Sequence, residues 1–197
     1  MTRVLCIAAH PDDEVLGVGG TLLRHKALGH EVAVYIAQKC GRPDAVSDDE
    51  MLEAKGRMGL DYYLGWADGS LMVDEVVELL RPDVVYTHSG ADLHEDHRAL
   101  LDRVLVACRP QSGVRGLYAF ETPSATDWSG RDFTPRLFVD ITETVEGKEH
   151  AMEAYASELR ELPHPRTIDS LYHRGLYWGQ RAGVEYAEAF EVIRECW

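Results

Sequence analysis

His10, Asp12, Asp13 and Glu14 crowd one imidazole and three carboxylates around Pro11. Such a turn is costly as scaffold and makes sense around a cation. A second dense group, His94-Glu95-Asp96-His97, lies further along the chain. Histidine and aspartate are zinc donors, and a catalytic zinc typically takes three protein ligands plus water. His10 and Asp13, three apart in a turn, are close enough to grip one ion, and His97 can supply the third donor. Coordination lowers the pKa of water from about 15.7 to roughly 7. A carboxylate off the metal can then take the proton, and Asp12 is placed for that. His94 is the natural second electrophile: protonated, it could stabilise a tetrahedral oxyanion and then protonate a leaving amine. Asp96 fits as the partner that fixes an imidazole's orientation, and which imidazole stays open. The implied reaction class is metal-assisted hydrolysis. Iron or cobalt could occupy the same His-Asp-His set, because affinity order alone does not settle the metal.

Either cluster alone would pass as an acidic loop or helix start, since carboxylates suit helix N-termini. Their placement argues otherwise. Arg3 to Ala9 is a continuous apolar run, as expected of a strand buried on both faces, and the first cluster follows it directly. Asp83 to His88 reads as another strand, and the second cluster follows that one. Open α/β sheets bind ligands at the carboxyl ends of their strands. A zincin is excluded, because that motif needs helical histidines four apart and these are three apart. His25, His30, His150, His164 and His173 are expected to be surface or packing residues, and the role of His88 stays open.

The remaining elements alternate. Gly17-Val18-Gly19-Gly20 is expected to open a helix running to Leu28, with Glu31 to Gln38 a second strand. Ser47 and Glu50 form a capping box for a helix ending near Gly59. Asp61 to Leu64 is a short strand. Leu71 to Leu80 is helical, with Leu71, Val76, Leu79 and Leu80 on one apolar side, and Arg81-Pro82 stops it. The histidine cluster leads into a helix reaching Cys108. Gly116 to Glu121 and Arg136 to Ile141 are strand-like, Thr142 to Leu159 reads as one long helix, and Ile168 to Arg181 as another. Between these last two lies a basic, proline-bearing loop, Pro163 to Arg166. Tyr186 to Ile193 fits a strand or a helix. The pattern predicts an α/β, Rossmann-like three-layer fold with a mostly parallel sheet, in a single domain over residues 1–197.

Composition narrows the function classes. With 197 residues and a formal net charge of −14, the chain lacks the electrostatic footprint of a nucleic-acid binder. No run approaches a membrane span, no signal peptide is visible, and a cytoplasmic protein is the default. Cys6, Cys40, Cys108 and Cys196 form no CxxC pair and suggest no disulfide framework; a minor site role is conceivable for Cys40 alone. Asp68, after the third strand, is a weak substrate-binding candidate. A dinucleotide-binding reading of the Gly17–Gly20 stretch fails, because a carboxylate-rich turn would sit where pyrophosphate should bind. Self-association into a homo-oligomer is left open by the sequence.

The two clusters also carry a resemblance. Ala9-His10-Pro11-Asp12-Asp13-Glu14, followed by Gly17 and Gly19-Gly20, resembles the first signature of the PIG-L (LmbE-like) zinc-dependent deacetylases. His94-Glu95-Asp96-His97-Arg98 after Thr87-His88 resembles the second. Arg81-Pro82-Asp83-Val84-Val85 is similar to the family's lead into that strand, and Gly183 to Phe190 looks like a tail of bacterial members. The resemblance implies a Rossmann-like fold and hydrolysis of an N-acetyl group, commonly from an N-acetylglucosamine derivative. It implies zinc on His10, Asp13 and His97, Asp12 as general base, His94 as oxyanion stabiliser or general acid, and Asp96 as the residue orienting a histidine. The chain departs from the pattern at Gln38-Lys39-Cys40-Gly41-Arg42-Pro43, where many members have a Thr-Arg-Gly-Glu-like loop and then a substrate-holding arginine; Arg42 is the available substitute. A neighbouring expectation is an amidase removing a larger acyl group from a sugar-thiol conjugate. A noncatalytic metal or sugar-binding module is the bland alternative.

Overall fold

The structure, a computed structural model, describes residues 1–38, 46–65 and 72–196. Its centre is β1 (Arg3–Ala8), a strand of bulky and β-branched apolar residues buried along nearly its whole length. It pairs in parallel with β2 (Glu31–Ile36) on one side and β4 (Val84–His88) on the other. The parallel region extends to β3 (Asp61–Leu64) beyond β2 and to β5 (Gly116–Phe120) beyond β4. β7 (Ala187–Glu195) runs antiparallel between β5 and β6 (Leu137–Asp140). The sheet order is β3-β2-β1-β4-β5-β7-β6. After β1 the chain builds outward one way, and from β4 it builds the other way. The carboxyl ends of β1 and β4 therefore flank the topological switch point, where a crevice opens.

Helices cover both faces. On one, α1 (Asp13–Ala27), α2 (Asp48–Met58), α5 (Val145–Met152) and α6 (Ile168–Ala182) contribute to a core with Val4, Cys6, Phe120 and Phe190. On the other, α3 (Val73–Leu80) and α4 (Glu95–Ala107) bury Val73, Val76, Val77, Leu100 and Val104 against Leu5, Ile7 and Val85. The α/β class and mostly parallel sheet agree with expectation. So do the capping box of Ser47 and Glu50 and the stop at Gly59, which is left-handed. The undecided terminal segment is a strand. Among the described residues, no helix is long and apolar enough to cross a membrane.

Three elements differ from the expectation. First, α1 begins at Asp13 rather than at Gly17. Asp13 and Glu14 form its first turn, where the exposed amides favour carboxylates. The glycines inside it serve close packing: a Cβ on Gly17 would lie 2.2 Å from Phe120, and one on Gly20 2.9 Å from Ile141. Second, Leu79 is 63% exposed, and the buried stripe of α3 is Val73, Val76 and Val77; Leu71 lies outside the described residues. Third, the helix expected over Thr142 to Leu159 is only Val145–Met152. Beyond Met152 the chain turns so that Tyr155 is buried with its hydroxyl 2.6 Å from Glu14. Ser157 N–H donates to Glu50 at 2.8 Å. Tertiary contacts here override a helical pattern that Gly147 already weakens.

Candidate metal and active site

The end of β1 and the first turn of α1 set His10, Asp12 and Asp13 into the crevice. The end of β4 and the N-terminus of α4 bring Asp92, His94, Asp96 and His97 across from them. All of these but the fully buried Asp92 line one side of a cavity of about 620 Å³. The segment between α5 and α6 closes the other side with Glu158, Arg160, His164 and Arg166, and Ser124 and Gln38 complete the rim.

Three donor atoms meet at its base. His10 Nδ1 lies 3.4 Å from Asp13 Oδ2, His97 Nε2 lies 3.2 Å from the same oxygen, and the two ring nitrogens are 3.3 Å apart. A tetrahedral zinc with bonds of about 2.0–2.1 Å has donor–donor edges of about 3.3 Å. The triangle therefore has the dimensions of one face of such a site. The hydrogen-bond partners leave the right lone pairs available. His97 Nδ1 is 2.9 Å from Asp92 Oδ2, so its proton resides there and Nε2 is the donor. His10 Nε2 is 3.2 Å from Asp96 Oδ2, which leaves Nδ1 facing Asp13 and His97. Such outer carboxylates fix ring orientation at metal sites.

His88 resolves an ambiguity in this cluster. Its Nε2 is 3.5 Å from Asp13 Oδ2, and its ring stacks on His97 at 3.9 Å. Yet Nε2 accepts the Ala9 N–H at 3.0 Å, and Nδ1 lies 3.1 Å from the Thr122 hydroxyl. Burial first, and then the charge of His97, hold His88 neutral. Its lone pair is engaged by the backbone, so it packs behind the triangle rather than joining it.

The electrostatics suit a cation. Burial alone would lower the pKa of His97, but Asp13 and Asp92 together raise it to about 10. Groups that hold an extra proton on His97 are groups that favour positive charge at this point. Asp12 has the opposite environment. Burial raises its pKa well above the ordinary value, and Arg166 offsets only part of that rise. Its Oδ2 is 2.9 Å from the Arg166 guanidinium, which leaves Oδ1 to accept a proton. Asp12 also carries φ 108°, a conformation that non-glycine residues rarely adopt.

His94 is half-exposed and caps α4 by accepting the Asp96 N–H at 3.3 Å on Nδ1, so its own proton lies on Nε2. Burial, and then His97 and His10, lower its pKa below the ordinary imidazole value, which favours the neutral ring over the protonated form. A neutral imidazole N–H remains a hydrogen-bond donor. Asp96 reaches His10 at 3.2 Å and His94 Nδ1 at 3.7 Å.

Comparisons with known proteins identify the family. The PIG-L family, described as GlcNAc-PI de-N-acetylase, matches residues 5–108. The chain belongs to this family. It is 28% identical to the diacetylchitobiose deacetylase of Thermococcus kodakarensis, over 97% of this chain and 83% of that protein. It is 30% identical to the uncharacterized deacetylase YaiS of Escherichia coli K12, over 71% of this chain and 82% of that protein. Among solved structures, the conserved protein TT1542 of Thermus thermophilus superposes with a TM-score of 0.79. That pair is 27% identical, with coverage of 100% of this chain and 97% of the other.

Sequence reasoning missed several residues of this PIG-L pocket. Asp92, fully buried, holds His97 and also accepts the His94 N–H at 2.8 Å. Its only signal was its place just ahead of the histidine pair. His164, expected to be a surface or packing residue, lines the cavity. Arg166 belongs to a loop whose basic character was visible but whose destination was not. Cys40, Arg42 and Asp68 lie outside the described residues.

Proposed function

We propose that this PIG-L protein hydrolyses an N-acyl group, foremost N-acetyl, from an amino-sugar derivative of the N-acetylglucosamine type. The carrying observation is the His10–Asp13–His97 triangle beside the buried Asp12 in a cavity large enough for a sugar. Membership of the family, and the deacetylase activity named for two relatives, support the reading. His10 Nδ1, Asp13 Oδ2 and His97 Nε2 would hold a divalent cation, zinc first. When bound, that cation polarises the acyl oxygen and makes water acidic enough to lose a proton near neutral pH. Asp12 Oδ1 takes that proton, helped by the burial that raises its basicity. It then delivers the proton to the departing amine nitrogen. Arg166 keeps the carboxylate turned toward the cavity while this happens. His94 donates Nε2–H to the oxygen that gains charge. Asp96 and Asp92 hold His10 and His97 in register.

Acetate release tests the reading. Purified, zinc-reconstituted protein should release acetate from N-acetylglucosamine or N,N′-diacetylchitobiose, and chelation should stop it. A parallel series of longer N-acyl glucosamines separates a deacetylase from an amidase for larger acyl groups. Zinc binding without turnover of any member would leave only a noncatalytic module.

A further inference from the structure

Asp12 owes its position to a backbone conformation as much as to its side chain. At φ 108° it lies outside the regions that residues with a Cβ normally occupy. Such a conformation persists only where the surroundings over-determine it. Glu14, completely buried in the first turn of α1, grips that backbone. Its Oε2 accepts the Asp12 backbone N–H at 3.0 Å. Its Oε1 accepts the hydroxyls of Tyr155 at 2.6 Å and Tyr62 at 2.8 Å. Tyr62 comes from β3 and Tyr155 from the turn after α5, so the carboxylate is anchored from two separate parts of the chain.

We infer that Glu14, held by Tyr62 and Tyr155, is a positioning residue that fixes the strained Asp12 backbone and so aims the base. The inference rests on the assignment of Asp12 as that base. The division of labour is specific. Arg166 holds one oxygen of the Asp12 side chain, whereas Glu14 holds the peptide from which that side chain departs. Neither Glu14 nor its tyrosines contacts the donor atoms of His10, Asp13 or His97 at hydrogen-bond distance, so the clamp should bear on turnover and leave metal binding alone.

Glu14→Leu keeps the volume filled and removes both acceptors. It should lower kcat by about 100-fold, the scale expected when a catalytic group is misplaced by about 1 Å, with KM and zinc stoichiometry unchanged. Glu14→Gln should recover most of that loss, because its amide oxygen still accepts the Asp12 N–H and its amide nitrogen donates to a tyrosine oxygen. A crystal structure of Glu14→Leu should show Asp12 relaxed to negative φ. Wild-type kcat in the folded variant, loss of zinc in parallel with kcat, or an unchanged positive φ would each overturn the inference. Should Glu14→Leu fail to fold, Tyr155→Phe decides by the same readouts, with a kcat loss of several-fold expected. If the wild-type protein releases no acetate, the deacetylase reading falls, and the Asp12 φ in the variant still decides this one.

Discussion

The floor of the pocket and its cover are built on different physical footings. The floor, residues 9–14 and 92–97, sits on the ends of two adjacent parallel strands and the first turns of two helices. Its side chains are crossed by short links: Asp92 to His97 at 2.9 Å, Asp96 to His10 at 3.2 Å, Glu14 to the Asp12 N–H at 3.0 Å. The cover, residues 153–167, has no helix or strand. It hangs on long-range contacts: Ser157 on Glu50, Tyr155 on Glu14, and Arg166 on Asp12 and Glu158. A floor on rigid elements can hold a cation to the tolerance coordination demands. Cover side chains that make no hydrogen bond to that floor, such as Arg160 and His164, can change without disturbing it, and there substrate preference is free to vary.

The sharpest way to break the comparison is at the atom where the two regions meet. Asp12→Asn removes the base but keeps the shape and the Arg166 contact. Turnover should fall by about 10²–10⁴, the usual contribution of a positioned acid–base group, while zinc stoichiometry measured by metal analysis stays at the wild-type value. Turnover within a few-fold of wild type would remove Asp12 from the chemistry.

Arg166→Ala attacks the cover. It leaves two carboxylates, Asp12 and Glu158, each with a side chain only 4% exposed, facing each other without their shared guanidinium. Breaking a fully buried pair costs about 3–5 kcal/mol, and the cost is less here because the cavity admits water. Thermal denaturation should show the loss, and zinc affinity should not change. A fall in zinc affinity as large as the fall in stability would mean that floor and cover are one unit.

Asp92→Ala is the converse cut, confined to the floor. With Nδ1 unpartnered, His97 loses its fixed tautomer and orientation. Zinc affinity, read by competition with a chelating dye, should weaken by about 10–100-fold. Substrate KM in zinc-saturated protein should move far less.

The same division explains what the sequence revealed. His10, Asp13, His97, Asp12 and His94 were legible because the floor is encoded locally. Donor residue types sit within one turn of a strand end, and strand order brings two such turns together. Asp92 is part of the same local encoding and was overlooked because it stands just outside the dense cluster. The cover was illegible for a stronger reason. The pattern over residues 142–159 satisfies a helix, and only partners far along the chain, Glu14 and Glu50, decide that the helix stops at Met152. Arg166 and His164 reach the pocket because of that turn. The start of α1 was misplaced for a related reason: Gly17 and Gly20 look like an opening, whereas Phe120 and Ile141, remote in sequence, require their missing side chains.

The smallest effect tests the joint between cover and scaffold. Glu50 has two duties, closing the capping box with Ser47 at 2.9 Å and accepting the Ser157 N–H at 2.8 Å and hydroxyl at 2.9 Å. Burial alone would raise its pKa, but the hydrogen bonds from Ser47 and Ser157 outweigh it and hold the group below its ordinary 4.5. A carboxylate depressed on folding stabilises the protein fully above its unfolded pKa, and the stabilisation is lost as pH falls through the folded value. Glu50→Ala should therefore cost about 1 kcal/mol at neutral pH, the scale of a lost cap. The difference from wild type should shrink below about pH 4, where both proteins lack the charged partner. Because Glu50 ties down the cover and touches nothing in the floor, the variant should keep its zinc and its kcat, with any penalty in KM. Equal losses in kcat and zinc would mean that the cover's anchorage reaches the donor triangle, contrary to the separation drawn from the contacts.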